Sequence, residues 1–147
     1  MKTDGPHIRL LLWKANKAVE TIDKASIAAT GLGLSDFAVL EALLHKGPLP
    51  VNTIGKKVLL TSGSISTAVN RLANKGLVRR RRDPADGRVF LVHLTERGRM
   101  MIEKAYRRHS RNLEATAGVL DPEERKTLVR LLKKLGRHAE TQPQRQV

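Results

Sequence analysis

Between Thr61 and Arg71 the chain sets Thr61, Ser62, Ser64, Ser66, Thr67, Asn70 and Arg71 around the apolar positions Ile65, Val69 and Leu72. That spacing predicts a helix with one buried stripe and an outer face of hydroxyls, one amide and one long cation. The chemistry open to such a face is hydrogen bonding, not bond cleavage. Ser62, Ser64 and the backbone amides at the helix start suit phosphate oxygens, because the helix dipole favours anions there. Asparagine pairs bidentately with adenine and arginine with guanine, each worth roughly 1–3 kcal/mol of base discrimination. On spacing alone, an ordinary solvated helix face fits equally well. A second basic group follows at Arg79-Arg80-Arg81-Arg82, with Arg88 beyond the turn-rich segment Asp83-Pro84-Ala85-Asp86-Gly87. Strand alternation separates Arg80 and Arg82 from Arg79 and Arg81, so only one pair faces a common surface. Arg80 and Arg82 are taken as the phosphate-facing pair.

The composition agrees with a polyanionic partner. The 147 residues hold 28 Lys+Arg against 14 Asp+Glu, a formal charge of +14. From Arg71 to Arg111 there are 13 basic residues and 4 acidic ones, which concentrates most of the surplus in 41 residues. Basic membrane-surface helices and single-strand binders both lean on aromatic side chains. One Trp, one Tyr and two Phe are too few for either, which leaves double-stranded DNA. The absence of cysteine excludes disulfides, thiolate metal sites and thiol catalysis. Serine-hydrolase elbows, zinc-protease helices and phosphate-binding loops are also missing, so neither an enzyme nor a cofactor is expected. The longest apolar run near the start, Leu10–Trp13, is too short for a signal peptide or a membrane span, and a cytoplasmic protein is expected.

The elements that must position these residues follow from periodicity. A first helix is expected from Ile8 to about Ala29, broken by Gly31-Leu32-Gly33-Leu34. Ser35 is read as the N-cap of a second, with Phe37, Val39, Leu40, Leu43 and Leu44 inward. Gly47-Pro48-Leu49-Pro50 ends it, and Val51–Val58 forms a short third helix. The polar-faced helix then runs to Gly76, and the two make a helix-turn-helix. Leu77–Arg82 and Arg88–Leu94 are the arms of a β-hairpin, and Thr95 caps a long helix reaching about Ala117. Asp121-Pro122-Glu123-Glu124 opens a last helix with Leu128, Leu131, Leu132 and Leu135, ending near Gly136.

The fold is therefore mainly α with a small β-hairpin wing. Residues 1–30 form an N-terminal dimerisation helix, 31–95 a winged helix-turn-helix, 96–140 C-terminal dimerisation helices and 141–147 a mobile tail. The long apolar stripes of the first and last helices suit packing on a symmetry mate.

Four segments, in order, resemble the MarR family of winged helix-turn-helix regulators. They are Ser35-Asp36-Phe37-Ala38-Val39-Leu40, Ser66-Thr67-Ala68-Val69-Asn70-Arg71-Leu72, Lys75-Gly76-Leu77-Val78-Arg79-Arg80, and Asp86-Gly87-Arg88-Val89-Phe90-Leu91-Val92-His93-Leu94-Thr95. Leu43–Pro48, Ile54–Leu60 and the cap at Leu120–Glu124 are similar more narrowly to the MhqR-like branch, whose members respond to quinones and hydroquinones.

The resemblance implies a homodimer on a pseudo-palindromic operator, with recognition helices in major grooves about one turn, ~34 Å, apart. It implies a minor-groove role for Arg88, with Asp86 orienting it or closing the turn. It also implies repression released by a small aromatic effector, bound where the DNA-binding lobe meets the dimer helices. Trp13, Lys17, Phe37, His45, Tyr106 and His109 are candidates to line that site. Two other readings are a non-specific architectural DNA binder and a zinc-responsive regulator using Glu20 or Asp23 with His45 and His109. The ligand spacing for zinc is incomplete, and no metal site is expected.

Overall fold

The computed structural model describes residues 1–58 and 62–143, without the side chain of Ser62. The chain forms α1 (Gly5–Ala28), α2 (Leu34–Lys46), β1 (Leu49–Pro50), α3 (Val51–Val58) and α4 (Ser62–Asn74). After them come β2 (Val78–Arg82), β3 (Phe90–Leu94), α5 (Glu96–Ala117) and α6 (Pro122–Thr141). Two compact units result, Met1–Asn112 and Leu113–Val147.

In the first unit α2, α3 and α4 close around Phe37, Leu40, Leu43, Ile54, Ile65, Val69 and Leu72, all fully buried. The end of α4 shows why the chain turns where it does. Gly76 takes φ +71°, a conformation that side chains with a Cβ disfavour. That lets the Leu77 N–H reach the Leu72 carbonyl at 3.0 Å and the Gly76 N–H reach that of Ala73 at 2.9 Å. This is a Schellman cap, and the buried Leu77 and Leu72 supply its apolar contact. The chain then enters β2 with Val78 pointing into the core.

The sheet is antiparallel in the order β1-β3-β2. The hairpin expectation missed β1, whose two residues pair Leu49 with Val92 and Pro50 with Leu91. A proline in so short a segment reads as a breaker, yet an edge strand tolerates it. In the hairpin, Val78 stands opposite Leu94, Arg80 opposite Val92 and Arg82 opposite Phe90. Opposed residues share a face, so Arg80 and Arg82 lie on the side of buried Val92, and Arg79 and Arg81 on the other.

Three further boundaries differ from expectation. The first helix begins earlier, at Gly5, because the Asp4 side chain accepts from the His7 N–H at 2.9 Å and Pro6 fits the first turn. Gly33, not Ser35, is the N-cap of α2 and gives no side-chain bond, which frees Ser35 for a tertiary contact. The last helix passes through Gly136 to Thr141, since an exposed glycine costs a helix only about 1 kcal/mol. Residues 144–147 of the expected tail lie outside the described residues. The capping box of α6 is as expected: the Glu123 and Glu124 N–H groups donate to Asp121, and the Asp121 N–H donates to the Glu124 carboxylate.

Candidate nucleic-acid interface

Helix α4 buries Ile65, Ala68, Val69 and Leu72 and leaves Ser64, Ser66, Thr67 and Asn70 exposed on its outer face. Thr61 lies outside the described residues. Arg71 departs from its expected outward direction. Its Nε donates to both oxygens of Asp36 at 3.0 and 3.1 Å, and its Nη2 also donates to the Ser35 hydroxyl at 3.2 Å. Asp36 is buried, so its charge needs a partner, and the bidentate arginine with Lys75 at 3.7 Å supplies it. Bonding to Asp36 raises the Arg71 pKa still further, and the guanidinium pins α4 to α2. Helical spacing could not reveal this, because the signal is a carboxylate 35 residues away.

The wing carries its cations on both faces. Arg80 Nη2 donates to Asn70 Oδ1 at 2.6 Å and links β2 to the outer face of α4. Arg82 donates to the Gly87 carbonyl at 2.6 Å and stacks its guanidinium 5.0 Å from the Phe90 ring centroid. On the opposite face Arg79 and Arg81 flank His93. Burial, then the charges of Arg81 and Arg79, hold that imidazole's pKa below its ordinary value. At the tip, Asp86 accepts from the Arg88 N–H at 3.1 Å, and its carboxylate lies 3.4 Å from Arg88 Nε. The Arg88 side chain is 93% exposed, so Asp86 closes the turn while the cation projects into solvent.

The joint between wing and α5 depends on close backbone approach. The Thr95 hydroxyl donates to the Gly76 carbonyl at 2.7 Å and accepts from the Gly98 N–H at 3.0 Å. A Cβ on Gly98 would stand 1.9 Å from the Leu77 carbonyl oxygen, so only glycine fits there. Sequence reasoning missed this glycine, which looks like an unremarked interruption of a helix.

The six expected effector residues form three separate pairs. Lys17 lies over the Trp13 ring on exposed α1, 5.6 Å from its centroid. His45 meets Tyr106 edge-on at 4.6 Å, and Phe37 meets His109 edge-on at 4.9 Å. The last pair lines a cavity of about 240 Å³, together with Asp23, Ile27, Glu41 and Val58. The buried His109 places Nε2 3.1 Å from Asp23 and Nδ1 3.2 Å from the Ser26 hydroxyl, which accepts from Asn112 at 2.8 Å. A carboxylate only accepts, so Nε2 carries a hydrogen. Burial pushes the Glu41 carboxyl above its ordinary pKa, an effect that His109 and His45 oppose. Glu41 and the contacts of Ser26 and Asn112 were not anticipated. His45 lines a second, shallower recess of about 380 Å³ that also touches Glu41. Among the described residues no three His, Asp or Glu groups converge as metal ligands, so Glu20, Asp23, His45 and His109 do not form the zinc set considered above.

A family model described as MarR family matches residues 30–89, the span from α2 through α4 and β2 to the turn before β3. The HTH-type transcriptional regulator MhqR of Bacillus subtilis is 35% identical over 130 residues, covering 88% of this chain and 90% of the relative. The chain belongs to the MarR family of transcriptional regulators. Among solved MarR-like structures, a probable transcriptional regulator from Pseudomonas aeruginosa superimposes with a TM-score of 0.70 at 31% identity, over 87% of this chain and 96% of that one. Bordetella bronchiseptica BpsR, described as regulated in DNA binding by 6-hydroxynicotinic acid, gives 0.74 at 29%, over 90% and 93%. This MarR chain is thus a DNA-binding regulator of winged-helix fold, with the β2–β3 hairpin as its wing. Among the described residues no helix is long and apolar enough to cross a membrane.

Proposed function

We propose that this protein is a homodimeric repressor that reads a pseudo-palindromic operator and is released by a small hydroxylated aromatic compound. The observation that carries the reading is the outer face of α4. Its Ser64, Ser66, Thr67 and Asn70 are exposed beside a wing whose tip projects Arg88. Ser64 and the helix start would hold phosphate, Ser66, Thr67 and Asn70 would reach base edges, and Arg88 would enter the minor groove. Arg71 is left out of this set because Asp36 holds it.

Support for a dimer comes from apolar faces left uncovered. On α1 these are Leu11, Leu12, Trp13 and Val19, and on α6 Leu128, Val129, Leu131, Leu132 and Leu135. Exposed apolar stripes on two long helices are interface surface, and a second copy is their fitting cover.

For the effector, the cavity beside Phe37 and His109 has a ring wall and two carboxylates, Asp23 and Glu41. An aromatic ring would lie on Phe37 while its hydroxyl donates to Glu41 or Asp23. Hydroquinones fit this chemistry. Fluorescence anisotropy at about 150 mM salt, comparing the DNA upstream of the gene with a scrambled duplex, tests the reading. A preference of a hundredfold or more, lost on adding a hydroquinone, is expected. Equal affinity for both duplexes would contradict operator recognition and favour an architectural role. Tight specific binding indifferent to phenols, with no heat in calorimetry, would overturn the effector assignment alone.

A further inference from the structure

The contact between wing and α4 restricts what that helix can present. Arg80 shares its strand face with buried Val92, which aims it at α4, and its Nη2 lies 2.6 Å from Asn70 Oδ1. A guanidinium has five donors and no acceptor, so the amide atom turned toward it is the oxygen. The Asn70 amide is thereby oriented with its oxygen toward β2 and its amino group facing away. Arg71, the next residue, is held by Asp36 and does not compete for Asn70.

We propose that Arg80 is a positioning residue that sets the base preference of Asn70, turning an amide able to read adenine into a donor for guanine. The proposal rests on α4 being the major-groove helix. Asparagine reads adenine with both ends of its amide, the oxygen accepting from N6 and the amino group donating to N7. With its oxygen turned toward β2 and bonded to Arg80, the amide presents its amino group outward, and that group meets the adenine amino group donor to donor. Cytosine presents the same obstacle through N4. Guanine offers O6 and N7, both acceptors, to the Asn70 amino group and the remaining guanidinium hydrogens of Arg80. Asn70 and Arg80 therefore act as one donor-only surface.

Selection from a random duplex library, run with the full-length protein and with R80M, R80K and N70A, tests this. The unaltered protein is expected to enrich guanine over adenine about tenfold at one position per half-site. R80M keeps the stem but frees the amide oxygen, and should move that position to adenine with the others unchanged. R80K retains a donor for the oxygen and should keep guanine, while N70A should lose preference there alone. Losing a phosphate contact would instead weaken all sequences alike. Arg80 is exposed, so these changes spare the core, and R80A provides a second deletion of the donor. If R80M and R80A enrich the same base as the unaltered protein at every position, the inference is overturned. If the unaltered protein enriches no sequence at all, the major-groove reading of α4 fails and takes this inference with it.

Discussion

Helices α4 and α6 are both amphipathic, yet their apolar stripes have opposite fates. Ile65, Val69 and Leu72 of α4 are at most 1% exposed, whereas Leu128, Leu131, Leu132 and Leu135 of α6 are 42–48% exposed. The stripe of α4 finds its cover in α2 and α3, and what remains outside is a hydrogen-bonding face beside the arginine wing. The stripe of α6 stays exposed, and it is the apolar face that the proposed dimer would use. Under the proposed function each helix binds through the face its own chain leaves unused: DNA for α4, a second copy for α6.

The comparison breaks most readily at α6. Replacing Leu131 and Leu135 together by Glu should yield monomers in sedimentation velocity. DNA affinity should fall at least about a hundredfold, because two half-sites would no longer be bound at once. Nearly as large is the expected effect of Gly98→Ala at the wing joint. A Cβ facing the Leu77 carbonyl should destabilise the fold by about 3 kcal/mol or more, read by denaturant melts at fixed protein concentration.

Smaller effects sharpen the contrast on the α4 side. Arg88→Ala should weaken operator binding about tenfold and reduce the slope of log affinity against log salt by about one. Asp36→Asn should lower the melting temperature by a few degrees, because Arg71 then loses its charged partner. Smallest is the pH dependence of Glu41. Its folded pKa is raised, so above the ordinary value of 4.5 the unfolded chain ionises first, and stability falls as pH rises through the folded pKa. Glu41→Gln should remove that decline, giving a slightly more stable protein at pH 7.5 and no gain below about pH 4.5.

What was legible in the sequence divides along the same physical line. Periodicity and caps are local, and they located α2 to α6, the Gly76 stop and the Asp121 capping box. Pairings across long separations were not legible. Arg71 looked like a base reader until buried Asp36 claimed it, and strand alternation alone could not tell which arginine pair faces α4. The edge strand at Leu49–Pro50 was hidden by its proline. Gly98 gave no sign because its constraint lies in the Leu77 backbone, and Trp13 was grouped with Phe37 although α1 leaves it in solvent.

The central claim, that two copies of α4 and its wing read one operator, is tested most directly by hydroxyl-radical footprinting on the duplex the protein prefers. Two symmetric protected windows centred about one helical turn, ~34 Å, apart are expected, and Asn70→Ala should weaken both equally. A single protected window, or uniform protection along the duplex, would contradict it.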